Sequence, residues 1–98
     1  MLRVFKVKGN SMLPTLKEGD YVVAFSRFWL RFLQMKIGRL VIIQHPEFGT
    51  MIKRISAVVN DGVYVQGDNS LESITSDDIG AIKKDQILGF VVYASKKK

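Results

Sequence analysis

Ser11 and Lys53 stand out in this 98-residue sequence as residues whose types and settings could do acyl-transfer chemistry without a metal or a thiol. Ser11 lies in Gly9-Asn10-Ser11-Met12-Leu13-Pro14-Thr15-Leu16. A serine just past a strand and a glycine, ahead of a proline turn, can present its hydroxyl, and Gly9 lets a substrate backbone approach closely. The hydroxyl is a poor nucleophile until a base takes its proton. His45 is the single histidine and precedes Pro46 in what reads as an exposed turn, so a Ser-His-Asp arrangement would rest on it alone. Lys53 is the other available base, set in Met51-Ile52-Lys53-Arg54-Ile55. An apolar setting penalises the ammonium and lowers a lysine's pKa. Work as a base near neutrality needs a drop of about three units from roughly 10.4, or about 4 kcal/mol. Periodicity alone leaves open whether Lys53 or Arg54 is the inward-facing residue of this strand.

The composition removes most other chemistries. Without cysteine there is no disulfide scaffold, zinc-cysteine cluster, iron–sulfur site or thiol nucleophile, and one histidine does not build a metal site. No metal or organic cofactor is expected. The chain is 47% hydrophobic and 24% charged, which is the balance of a folded globular domain and not of a disordered chain. At this length it forms one core, so residues 1–95 read as a single domain and Lys96-Lys97-Lys98 as a basic tail. No apolar run reaches the roughly 20 residues that span a bilayer, and no signal peptide opens the chain, so a cytoplasmic location is expected. The net charge of +6 is uneven: residues 1–54 hold ten lysines and arginines against three acids, the remainder five against six. A basic half can serve nucleic acid or an anionic membrane surface.

The elements that would position Ser11 and Lys53 are short strands. Residues 2–8 alternate apolar and basic, and Tyr21–Phe25, Arg39–Gln44 and Thr50–Val59 follow as strands. Asn60-Asp61-Gly62 turns the last of these into Val63–Gln66, and Gln86–Tyr93 closes the set. Residues 67–80 read as a long ordered loop. This pattern predicts an all-β fold, a small antiparallel β domain. One segment departs from it. Phe25, Phe28, Trp29, Phe32 and Leu33 fall on one helical face, predicting an inserted amphipathic helix near residues 26–36. Its aromatic face, flanked by Arg27 and Arg31, suits either the core or peripheral contact with a membrane interface.

Taken together, these segments resemble the boxes of type I signal peptidases and the related LexA-type repressor peptidases. Ser11-Met12-Leu13-Pro14 with Asp20 matches the nucleophile box, and Gly38–Ile43 before His45-Pro46 the next. Met51–Ile55 matches the box that carries a lysine general base. Gly67-Asp68-Asn69, Ser73, Gly80 and Ile87-Leu88-Gly89 match the last. The four occur in order across residues 7–89, and Pro14-Thr15-Leu16 and Gly67-Asp68-Asn69 favour the signal-peptidase side.

The resemblance implies a Ser-Lys serine endopeptidase. Ser11 would be the nucleophile, Lys53 its general base, and Ser73 would hold the lysine amine by a hydrogen bond. The Ser11 backbone N–H would donate to the oxyanion. Met12 would pack beside the dyad, and Asp68 and Asn69 would shape the loop carrying Ser73. The protein or peptide substrate would lie extended along a strand edge. Some relatives have a serine where Gly9 stands, and Thr75-Ser76-Asp77 replace an Asp–Arg brace, a role Asp77 and Asp78 would have to fill differently. With Ser11 only ten residues from residue 1 and no membrane anchor in sight, cleavage in trans is expected rather than LexA-style self-cleavage. In size and lack of an anchor the chain resembles the nickel-type superoxide dismutase maturation proteases, which trim a precursor's leader. A non-enzymatic binding module on the same fold is the alternative. Its nucleic-acid form lacks the interleaved aromatic and basic surface of single-strand binders, so nucleic acid is not the expected partner.

Overall fold

β-branched and aromatic residues in short runs, separated by glycine turns, give an all-antiparallel sheet. The structure is a computed structural model that describes residues 2–26, 35–71 and 79–95. Its strands are β1 (Leu2–Lys6), β2 (Tyr21–Ser26), β3 (Leu40–His45), β4 (Gly49–Val59), β5 (Gly62–Gln66), β6 (Ile82–Lys83) and β7 (Ile87–Ser95). They form one sheet in the order β1-β2-β7-β3-β4-β5-β6. Asn60 and Asp61 make the two-residue link between the paired ends Val59 and Gly62. β6 and the 3-10 turn Lys84–Gln86 behind it have no counterpart in the sequence-based expectation. A two-residue strand is too short to show a period.

The sheet buries both of its faces. Val41 and Ile43 of β3 belong to one apolar cluster with Ile55, Val63, Val65, Ile82, Ile87 and Phe90. Ile42, between them, belongs to a second cluster with Val7, Met12, Leu16, Val22 and Ala24. Fully burying a side chain of this size is worth about 1.5–3 kcal/mol, so the two clusters anchor the strands that carry Lys53 and the loop that carries Ser11.

Of the amphipathic helix expected near residues 26–36, residues 27–34 fall outside the described residues. At its margins the expectation is corrected: Ser26 is the last residue of β2, and Met35 and Lys36 are not helical. Phe25, counted into the helical face, is a strand residue paired with Leu2 and with Phe90. Ladder pairing on both sides holds it in the sheet, so it does not join a membrane-facing helical stripe with Phe28, Trp29, Phe32 and Leu33. Among the described residues no helix is long and apolar enough to cross a membrane.

Candidate active site

Ser11 stands in a tight turn between β1 and β2. The Leu13 N–H donates to the Asn10 carbonyl and the Leu16 N–H to that of Met12. Met12 and Leu16 are buried in the second cluster, which pins the turn and leaves the half-buried Ser11 at a groove. Gly9 enters the turn at φ +77°, and a Cβ there would meet nothing within 4 Å. Backbone conformation, more than crowding, is therefore what calls for glycine at this position.

Lys53 is the inward residue of its strand, at 2% exposure. It pairs with Val41 across β3 and shares a face of β4 with Met51 and Ile55, which pack in the first cluster. Arg54, on the opposite face, remains about one-third exposed at its side chain. The two cationic side chains thus part company by strand alternation.

The Ser11 turn and Lys53 meet at Gly67, the residue after β5. A Cβ built on Gly67 would stand 2.5 Å from the Ser11 carbonyl oxygen and 3.4 Å from Lys53 Nζ. Only a hydrogen at that position lets the lysine amine, the Ser11 backbone and the β5 loop come together. The next residues lock the contact. The Asn69 N–H donates to the Ser11 carbonyl at 2.9 Å, and Asn69 Nδ2 donates to the Asn10 carbonyl at 2.9 Å. Asp68 accepts Arg54 Nε at 2.8 Å and Arg54 Nη2 at 2.7 Å, and also the Thr15 hydroxyl. Arg54 Nη1 donates further to the Gly38 carbonyl at 2.7 Å. The Arg54 hydrogen bonds hold the Asp68 carboxyl below the usual carboxylate range against the opposing effect of partial burial, and the Thr15 hydroxyl adds to the lowering.

The site residues expected from sequence are therefore distributed as follows. Ser11, Met12 and Lys53 line one groove; Asp68 and Asn69 bind the Ser11 turn to the end of β5. Ser73 lies outside the described residues, as do Thr75, Ser76, Asp77 and the neighbouring Asp78. Arg54 and Thr15 were not singled out by sequence, although the bidentate Arg54–Asp68 pair is an Asp–Arg brace in this loop. A strand that turns Lys53 inward must turn Arg54 toward the opposite face, but the sequence leaves open which of the two points inward. His45 does not line the groove. Its Nδ1 accepts the N–H groups of Glu47 and Phe48 at 3.0 and 3.1 Å, so Nε2 carries the proton donated to the Ile79 carbonyl. The imidazole thus organises the β3–β4 turn.

The groove has a volume of about 700 Å³ and runs between residues 4–12 and 48–53. Both walls are open strand edges. β1 is the terminal strand of the sheet. Over Gly49–Lys53, β4 pairs with β3 alone among the described residues, because its pairing with β5 begins at Arg54. No cluster of three histidine, cysteine or acidic side chains able to hold a metal occurs among the described residues.

An antiparallel β domain with a serine turn docked beside a buried strand lysine is the architecture of the Ser-Lys peptidase superfamily that includes signal peptidases and LexA-type repressors. The chain belongs to the Peptidase S24-like family, whose model matches residues 1–92. No match was found among curated proteins.

Proposed function

We propose that this chain is a serine endopeptidase that cleaves an extended segment of a protein substrate in trans, with Ser11 as nucleophile and Lys53 as general base. The observation that carries the reading is the meeting of Lys53 Nζ and the Ser11 backbone at the missing side chain of Gly67. Burial at 2% exposure takes the lysine amine out of water, which disfavours its charged form. Lys53 takes the Ser11 hydroxyl proton as Oγ bonds to the scissile carbonyl carbon. The Ser11 backbone N–H stabilises the negative oxygen that forms. The proton then passes from Lys53 to the departing amine, and water releases the acyl group from Ser11 by the same sequence in reverse. Ser73 steadies the lysine amine in this scheme, and Asp68 and Asn69 hold the Ser11 turn.

The two open edges supply the substrate's place. A strand laid between β1 and β4 hydrogen-bonds to both walls and brings its backbone past Ser11. Cleavage of a peptide library by the wild type and by Ser11→Ala tests the reading. Products from the wild type alone support it. Binding of peptides without cleavage by either would favour a binding module on the same fold.

A further inference from the structure

The groove rim is cationic, and no acidic side chain is found among the described residues that line it. Lys6 and Lys8 are both exposed there. Lys6 lies opposite Tyr21 in the β1–β2 ladder, its Nζ 6.0 Å from the ring centroid. In the turn Glu18 accepts the Gly9 N–H at 3.3 Å, and Asp68 is engaged by Arg54 and Thr15. Below the rim the lining is apolar: Phe5, Val7, Met12 and Ile52 pack in the second cluster.

The registers place Lys6 on one face, which also carries Val4 and Met51, and Phe5 with Ile52 on the other. Leu2, Phe25, Phe90, Val41 and Lys53 are successive cross-strand partners, so they form one row on one face of the sheet. Val4 and Lys6 share that face by alternation along β1, while Phe5 and Val7 share the other with Ile52. A peptide strand inserted between β1 and β4 alternates in the same way. We infer that the groove selects an extended peptide segment that is apolar at positions turned toward Phe5 and Ile52 and acidic at the alternate positions beside Lys6 and Lys8. The inference deepens the peptidase reading and rests on it for the substrate's pose. A groove walled by two strand edges favours a peptide strand over a nucleic acid, whose phosphates could accept from the edge N–H groups but would leave the edge carbonyls without donors.

Opposite charges on neighbouring strands are worth about 1.4- to fivefold in affinity per pair, and salt weakens them. The test uses matched fluorescent peptides of alternating pattern with Glu, Gln or Lys at every second position. Binding is measured on Ser11→Ala and cleavage on the wild type. The Glu peptide should bind and be cut best at low salt, with the advantage shrinking at high salt. Lys6→Glu/Lys8→Glu should move the preference to the Lys peptide. Should that pair fail to fold, Lys6→Gln/Lys8→Gln should erase the preference. Equal binding of all three peptides, no binding of any, or a preference unchanged in the lysine variants would overturn the inference. So would displacement of the Glu peptide by a single-stranded oligonucleotide of equal affinity. Cleavage without charge preference removes this inference and leaves the peptidase reading; charge-selective binding without cleavage does the reverse.

Discussion

Arg54 and Asp68 face each other with two parallel N–H···O bonds of 2.8 and 2.7 Å, joining the strand that bears Lys53 to the loop that holds Ser11. Lys53 leaves the strand on one face, and Arg54 clamps the serine turn from the other through Asp68, Thr15 and Asn69. The pair therefore acts on the site by position. Asp68→Asn keeps the shape and removes the charge; it should cost about 1–3 kcal/mol of stability. It should lower kcat more than it raises KM, because the peptide walls are untouched. Denaturant unfolding and steady-state kinetics check both, and a pure KM effect would contradict the positioning role.

The same pair gives a pH signature. Asp68's folded pKa lies below its unfolded value of roughly 3.9, so its stabilisation is fully present above that value. It is lost as pH falls through the lower, folded value. The stability difference between wild type and Asp68→Asn should be constant from about pH 7 to 5 and should close below about pH 4. A difference that survives undiminished in strong acid would mean that the carboxylate charge is not its source.

Gly67→Ala should be severe for a residue that carries no chemistry. The added methyl would stand 2.5 Å from the Ser11 carbonyl oxygen, so the turn must move. Overpacking of this kind costs about 1–3 kcal/mol. A displacement near 1 Å at the reacting group costs about a hundredfold in rate. Thermal unfolding and cleavage assays separate the two effects; full activity in a folded Gly67→Ala protein would contradict the assembly described for the site.

His45 distinguishes the lysine from the histidine as base. His45→Ala removes the acceptor for two backbone N–H groups and should cost about 1–3 kcal/mol. Cleavage by the folded variant should persist near the wild-type rate. A loss of about 10⁶-fold, as expected when a triad loses its base, would assign the role to His45 instead.

Much of the strand pattern was legible because alternation and glycine or asparagine turns mark β1 to β5 and β7. Which way Lys53 points was not. Its strand is apolar on both sides, with Met51 and Ile55 packed in one cluster and Ile52 in the other, so a period of two carries no inside or outside. Only the cover supplied by neighbouring strands decides that. The groove was equally hidden: it joins β1 to β4, separated by more than forty residues, through the way the sheet brings two open edges together. The ordered boxes pointed to Ser11, Lys53, Asp68 and Asn69 by resemblance, while the Arg54 clamp required the register.

The most direct test of the account is the pH–rate profile of cleavage by wild type beside that of Lys53→Met, which retains the buried apolar stem without the amine. The wild-type rate should rise between about pH 6 and 10 as one group deprotonates, and Lys53→Met should fold as stably yet lose at least about 10³-fold in kcat. A folded Lys53→Met protein that cleaves with the wild-type rate and profile would contradict the assignment of Lys53 as the base that activates Ser11.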